Sequence, residues 1–104
     1  MTDLEIVRKC AEAMGYEVSE YQSRPNVLIV SVAGSPYSFD YDPLHDRAEA
    51  MELVEKLRVS IHFMDSEGVW TAFCCQSPLE RGVRTYDANL LRAICSCVAN
   101  MEGK

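Results

Sequence analysis

The chain has no basic excess. Its 104 residues carry 10 lysines and arginines against 16 aspartates and glutamates, a formal net charge of −6. A general nucleic-acid binder neutralises phosphates and shows the opposite balance, so this composition argues against that class while leaving room for a local basic patch. Long apolar runs are missing too. The longest, "VLIVSVA" at 27–33, falls far short of the roughly 20 residues that a bilayer-spanning helix needs. There is no Cys-x-x-Cys, no His-x-x-x-His and no phosphate-loop glycine pattern, so the usual signatures of zinc, redox and nucleotide sites are absent. The five cysteines, Cys10, Cys74, Cys75, Cys95 and Cys97, are odd in number and form no paired framework, which points to a reducing compartment. Met1 leads straight into the charged "TDLEIVRK" with no secretory pattern, and a cytoplasmic location is expected.

What is present describes a small globular domain. Hydrophobic residues make up 48% and charged residues 25%, and a single domain over 1–104 is expected. Thr2 and Glu5 form a capping-box pattern. Leu4, Val7, Ala11 and Met14 then recur at helical spacing, and Gly15 stops a helix over about residues 3–14. "YEV" at 16–18 offers a short strand. "NVLIVSVA" is β-branched and apolar on both faces, so cover is expected on both sides. "GSP" turns the chain into "YSFDY", whose Tyr37, Phe39 and Tyr41 are expected to face the core.

"DPLHDRAE" at 42–49 reads as a helix start. Either Asp42 caps with Pro43 at the first helical position, or Asp46 caps with Glu49 completing Asp-x-x-Glu. The helix then runs to about residue 57 on Ala50, Leu53, Val54 and Leu57. "RVSIHFM" places Val59, Ile61 and Phe63 inward and Ser60 and His62 outward. "DSEG" turns into "VWTAFCC", and "QSPLERGVRTY" reads as loop. Asp87 is expected to cap a last helix carrying Leu90, Leu91, Ile94, Val98 and Met101 and ending near Gly103. The expected fold is α+β: a three-layer α-β-α sandwich with a mainly antiparallel sheet of at least four strands, in the order α-β-β-α-β-β-α.

Pro43, Asp46, Ala50, the "ELVEKL" of 52–57, a hairpin centred on Trp70, and "AIC" at 93–95 occur in that order. Over about Tyr41 to Val98 this resembles the phage ABA sandwich domain family, small proteins of phages and prophages. The resemblance implies three layers of helix, sheet and helix, no established activity and a bacterial host cytoplasm. Many relatives carry Ser-Thr-Asp after the proline, where this chain has Leu44-His45-Asp46. Asp46 fits that pattern and His45 departs from it.

The candidate sites are few. His45 with Asp42, Asp46 and Glu49 has the donors for a divalent ion, but capping explains each carboxylate, and no metal or other cofactor is expected. Cys74 and Cys75 point to opposite faces of a strand, and Cys95 and Cys97 lie about 200° apart on a helix, so buried structural thiols are favoured over metal or redox chemistry. Arg81 and Arg84 in "RGVR" lead towards the last helix, where they could bind an anion. His62 and Trp70 are further ligand-binding candidates, with Trp70 more often a core or interface anchor. The expected function is that of a non-enzymatic accessory protein acting by binding. The alternatives are sequestration of a small anionic metabolite or nucleotide and, last, a small hydrolase-type enzyme using a histidine. A homo-oligomer is expected, with "YSFDY" and the Trp70 strand as candidate edges or faces.

Overall fold

The structure, a computed structural model, describes residues 2–19, 27–32, 34–74 and 83–101. The elements run α1 (Asp3–Ala13), β1 (Tyr16–Val18), β2 (Leu28–Val32), β3 (Ser38–Tyr41), α2 (Arg47–Leu57), β4 (Ser60–Met64), β5 (Val69–Cys74), β6 (Val83–Asp87) and α3 (Leu90–Ala99). The fold is α+β, with helices packed against antiparallel sheets, as the turn chemistry and strand patterns predict. Among the described residues every pairing is antiparallel, but the strands divide into two three-stranded sheets, β1-β2-β3 and β4-β5-β6, instead of one larger sheet.

Local chemistry sets the boundaries. Thr2 Oγ1 accepts the Glu5 N–H at 3.2 Å, and Glu5 Oε1 accepts the Thr2 N–H at 2.7 Å, closing the box that starts α1. The hydrogen bond from the Thr2 backbone holds the Glu5 carboxyl below its ordinary value. Gly15, at φ +81°, takes the left-handed conformation that lets the chain fold straight back into β1. In the β4–β5 turn Gly68 does the same at φ +67°, its N–H donating to Met64 O at 2.8 Å. Helix α2 ends differently. Arg58 is left-handed at φ 57° and ψ 49°, and Val59 N–H donates to Val54 O at 3.1 Å. A side chain occupies a position where glycine is the usual choice.

The core centres on α3. No residue from Leu90 to Ala99 is exposed, and Ala93, Ile94, Cys95, Cys97, Val98 and Ala99 are buried. The helix packs against α1, α2, β5 and β6, while α1 also covers β1 and β2. Ala93 and Ala99, with the two cysteines between them, are small, which lets all of these neighbours approach closely. Across the first sheet, Tyr16 and Tyr41 reach over Val30 on the middle strand and meet edge to face with ring centroids 5.4 Å apart.

Several expectations need correction. The order is α-β-β-β-α-β-β-β-α, two strands more than expected: the short strand offered at 16–18 forms as β1, and β6 forms where a loop was expected. Val83 and Thr85 alternate with Arg84 and Tyr86, and this short, mostly polar alternation needs the neighbouring β5 to become a strand. The cap of α3 is Asn89, whose side chain accepts from Arg92 N, because Asp87 is still paired with Trp70 in the sheet. Asp87 instead accepts the Asn89 N–H at 2.8 Å. Of the three tyrosine and phenylalanine residues in "YSFDY", only Tyr41 is buried. Phe39 is partly exposed and Tyr37 precedes the strand. Finally, β5, the Trp70 strand, is the middle strand of its sheet and offers no edge.

The left-handed Arg58 gives a direct test. The αL penalty of a non-glycine residue exceeds the extra chain entropy of glycine, so Arg58→Gly is expected to stabilise the fold by about 0.5–1 kcal/mol. Urea denaturation of both proteins measures it, and a loss of stability would show that the Arg58 side chain itself holds the end of α2.

Candidate functional site

The helix start resolves in favour of one cap. Asp46 is the N-cap of α2 and its Oδ1 accepts the Glu49 N–H at 3.2 Å. Glu49 does not return to Asp46. Its Oε1 accepts the Asp42 N–H at 2.7 Å, four residues further back. Asp42 O accepts from both His45 N and Asp46 N, at 3.0 and 2.9 Å, so residues 42–46 form a turn ahead of the helix. Pro43 and Leu44 are buried in that turn. Pro43 therefore anchors the entry to α2 and does not occupy its first position. Burial pushes the Glu49 carboxyl above its ordinary value, against the opposing pull of the Asp42 N–H.

His45 lies on the solvent side of this turn, with Nδ1 3.0 Å from Asp42 Oδ2. Among the described residues, no group of three or more histidine, cysteine, aspartate or glutamate side chains is arranged to hold a metal ion. The imidazole, largely exposed, and one carboxylate make a single local hydrogen-bonded contact.

The three described ligand-binding candidates, Arg84, His62 and Trp70, do not converge on one point. Arg81 lies outside the described residues. Thr85 Oγ1 donates to Ala93 O at 2.7 Å, which fixes the face of β6 that meets α3. Arg84 therefore points to the opposite face, away from the N-terminus of α3, and its guanidinium sits 4.8 Å from the centre of the Phe73 ring. Arg92 is committed elsewhere, its Nη2 bonded to Asp3 Oδ1 at 2.8 Å, tying α3 to α1. Trp70 shares the helix-side face with Ala72 and Cys74 and meets Phe63 at a tilt of 59°, with centroids 5.1 Å apart.

His62 does share the outer face with Arg84. On that face His62, Thr71 and Tyr86 make one row across β4, β5 and β6, and Ser60, Phe73 and Arg84 make the next. His62, Arg84 and Tyr86 are exposed. Thr71, at the centre, is only 5% exposed, and its Oγ1 has no hydrogen-bond partner among the described residues. A buried hydroxyl without a partner costs free energy, which makes this row the most distinctive polar feature of the outer face. Sequence reading found His62 and Arg84 but missed Thr71 and Tyr86. The alternation of "VRTYD" was the available signal. The second orphaned buried hydroxyl is Tyr41 OH, and burial pushes its pKa up.

The thiols pair across elements. Cys10 Sγ donates to Cys95 O at 3.5 Å between α1 and α3, and Cys74 Sγ lies 2.9 Å from Cys97 Sγ between β5 and α3. The opposed directions of Cys95 and Cys97 on α3 thus lead to two different neighbours.

Comparison with known proteins returns no family model, curated protein or solved structure that matches the chain. Among the described residues, no helix is long and apolar enough to cross a membrane.

The cap reading makes a paired prediction. Asp46→Ala should cost about 0.5–2 kcal/mol, the ordinary cost of losing an N-cap. Zinc or manganese should leave the melting temperature of the native protein unchanged. A saturable rise that disappeared in His45→Ala would replace the cap reading with a metal site.

Proposed function

We propose that the chain is a non-enzymatic interaction protein, an accessory protein of a phage or prophage as the family resemblance implies, and that its partner is a second copy of itself. One observation supports this reading: an apolar strip stands exposed along the β3 side of the first sheet. Val32 is 53% exposed, Phe39 38% and Tyr37 80%. By register Val32 and Phe39 lie on one face, and Tyr37 continues the same side just ahead of the strand. β3 is a terminal strand of its sheet. A terminal strand with exposed aromatic residues is a template for pairing, and a two-fold axis lets identical strips cover each other. The work of such a protein is done in the bacterial host cytoplasm.

A second reading, capture of a small anionic metabolite or nucleotide, draws on the outer face of the β4-β5-β6 sheet. There His62 stands in the row of the Thr71 hydroxyl and Arg84 in the next row. It ranks second because Arg84 is already seated on Phe73 and His62 lies across the sheet from it.

Light scattering at micromolar concentration separates the two. The first reading expects at least twice the 11.7 kDa monomer mass, returning to 11.7 kDa when Tyr37→Ser and Phe39→Ser are combined. A mass near 11.7 kDa over a wide concentration range contradicts it. A dimer indifferent to both substitutions contradicts the β3 strip. A rise in melting temperature with nucleotides, lost in Arg84→Ala, would promote the second reading.

A further inference from the structure

We propose that Cys74 and Cys97 are a redox-responsive dithiol that closes to an intramolecular disulfide joining β5 to α3. The proposal rests on placement. The two sulfurs are 2.9 Å apart, on elements that pack directly against each other, and the residues are 23 positions apart in the chain. A disulfide bond is about 2.05 Å long, so closure asks the sulfurs to approach by about 0.9 Å. Both thiols are held in place by the backbone: Cys97 Sγ lies 3.3 Å from Val83 O and Cys74 Sγ lies 3.8 Å from Cys97 O. Thr85, one register step along β6, bonds α3 at Ala93 and keeps the helix seated over this part of the sheet. Nothing in the dimer reading is needed for this.

The chemistry balances with a low-molecular-weight disulfide as the oxidant. One protein thiol ionises and attacks a sulfur of the oxidant, forming a mixed disulfide and releasing one small thiolate. The second protein thiol then loses its proton and attacks the mixed disulfide, forming the Cys74–Cys97 bond and releasing the other small thiolate. The two protein sulfurs give up two electrons, and the oxidant becomes two thiols. The hydrogen bond between the two thiols holds Cys74 below its ordinary value, while that hydrogen bond and then burial push Cys97 up. Cys10 and Cys95 also interact across α1 and α3, but the contact there is from the Cys10 thiol to the Cys95 carbonyl at 3.5 Å, against 2.9 Å between the sulfurs of Cys74 and Cys97.

Both sulfurs are buried, Cys74 at 2% and Cys97 at 0% exposure, so reaction with a folded molecule waits on local opening. An equilibrium measurement removes that dependence. The whole chain is refolded in glutathione redox buffers and in parallel held in concentrated urea, then acid-quenched, alkylated and mapped by tandem mass spectrometry. Five cysteines taken two at a time allow ten pairings. The native buffer is expected to give one intramolecular disulfide, Cys74–Cys97, with three alkylated thiols. Its equilibrium constant should exceed the value in urea by at least about tenfold, because the fold holds the sulfurs together. Oxidised protein should melt at a higher temperature than reduced. Cys75→Ser should leave the bond intact, and Cys74→Ser should abolish it. Should Cys74→Ser fail to fold, the map of the wild-type chain still decides. Five free thiols at every redox ratio that oxidises the urea sample, or the same spread of pairings with and without urea, would overturn the proposal, as would a bond through Cys75.

Discussion

Helix α3 has no exposed residue along its length, and that constraint shapes the rest of the molecule. A helix with so little exposed surface must meet partners around most of its circumference. Here α1, α2 and the β5–β6 part of the second sheet supply those partners. Ile94 faces full burial, worth about 1.5–3 kcal/mol for a side chain of that size. The small residues around it do something different. Ala93, Cys95, Cys97 and Ala99 take little room, so three helices and a sheet can close around one axis without a void. The Asp3–Arg92 ion pair and the Thr85–Ala93 hydrogen bond then fix how α1 and β6 sit against the helix.

The same constraint places the thiols. Two cysteines two positions apart on a helix point in opposed directions, and here they flank the partly exposed stripe of Arg92 and Ser96. On α3 both are buried, one against α1 and the other against β5. The functional readings occupy what α3 leaves uncovered. These are the β3 side of the first sheet and the outer face of the second, where Thr71 keeps a buried hydroxyl without a partner.

Much of the fold was legible in the sequence because local signals carried it. The Thr2–Glu5 box, Gly15 and the Asp46–Glu49 spacing are short-range chemistry, and they mark real boundaries. The alternation of β4 gave its faces correctly, with Ile61 towards the helices and His62 away. What failed depended on partners distant in the chain. β6 is a strand because β5 lies beside it, and Asp87 lost the cap of α3 because that strand reaches it. Tyr37 was read inward by alternation, yet the strand begins after it and nothing described covers it. Of the candidate site, His62 was legible as an outward residue, whereas Arg84 was expected in a loop near the start of α3 and lies on a strand. The Cys74–Cys97 contact was not, since no sequence pattern joins a strand end to a helix 23 residues later.

If α3 organises the core, it should be the last element to open. Native-state hydrogen exchange measures this residue by residue. The amides from Ile94 to Val98 are expected to exchange only through global unfolding, with the same free energy and denaturant dependence as the whole domain. The β1 and β3 amides should exchange through smaller openings. If the α3 amides instead exchanged through a local opening while β5 stayed protected, the second sheet would be the stable unit and the helix a later addition, which contradicts this account.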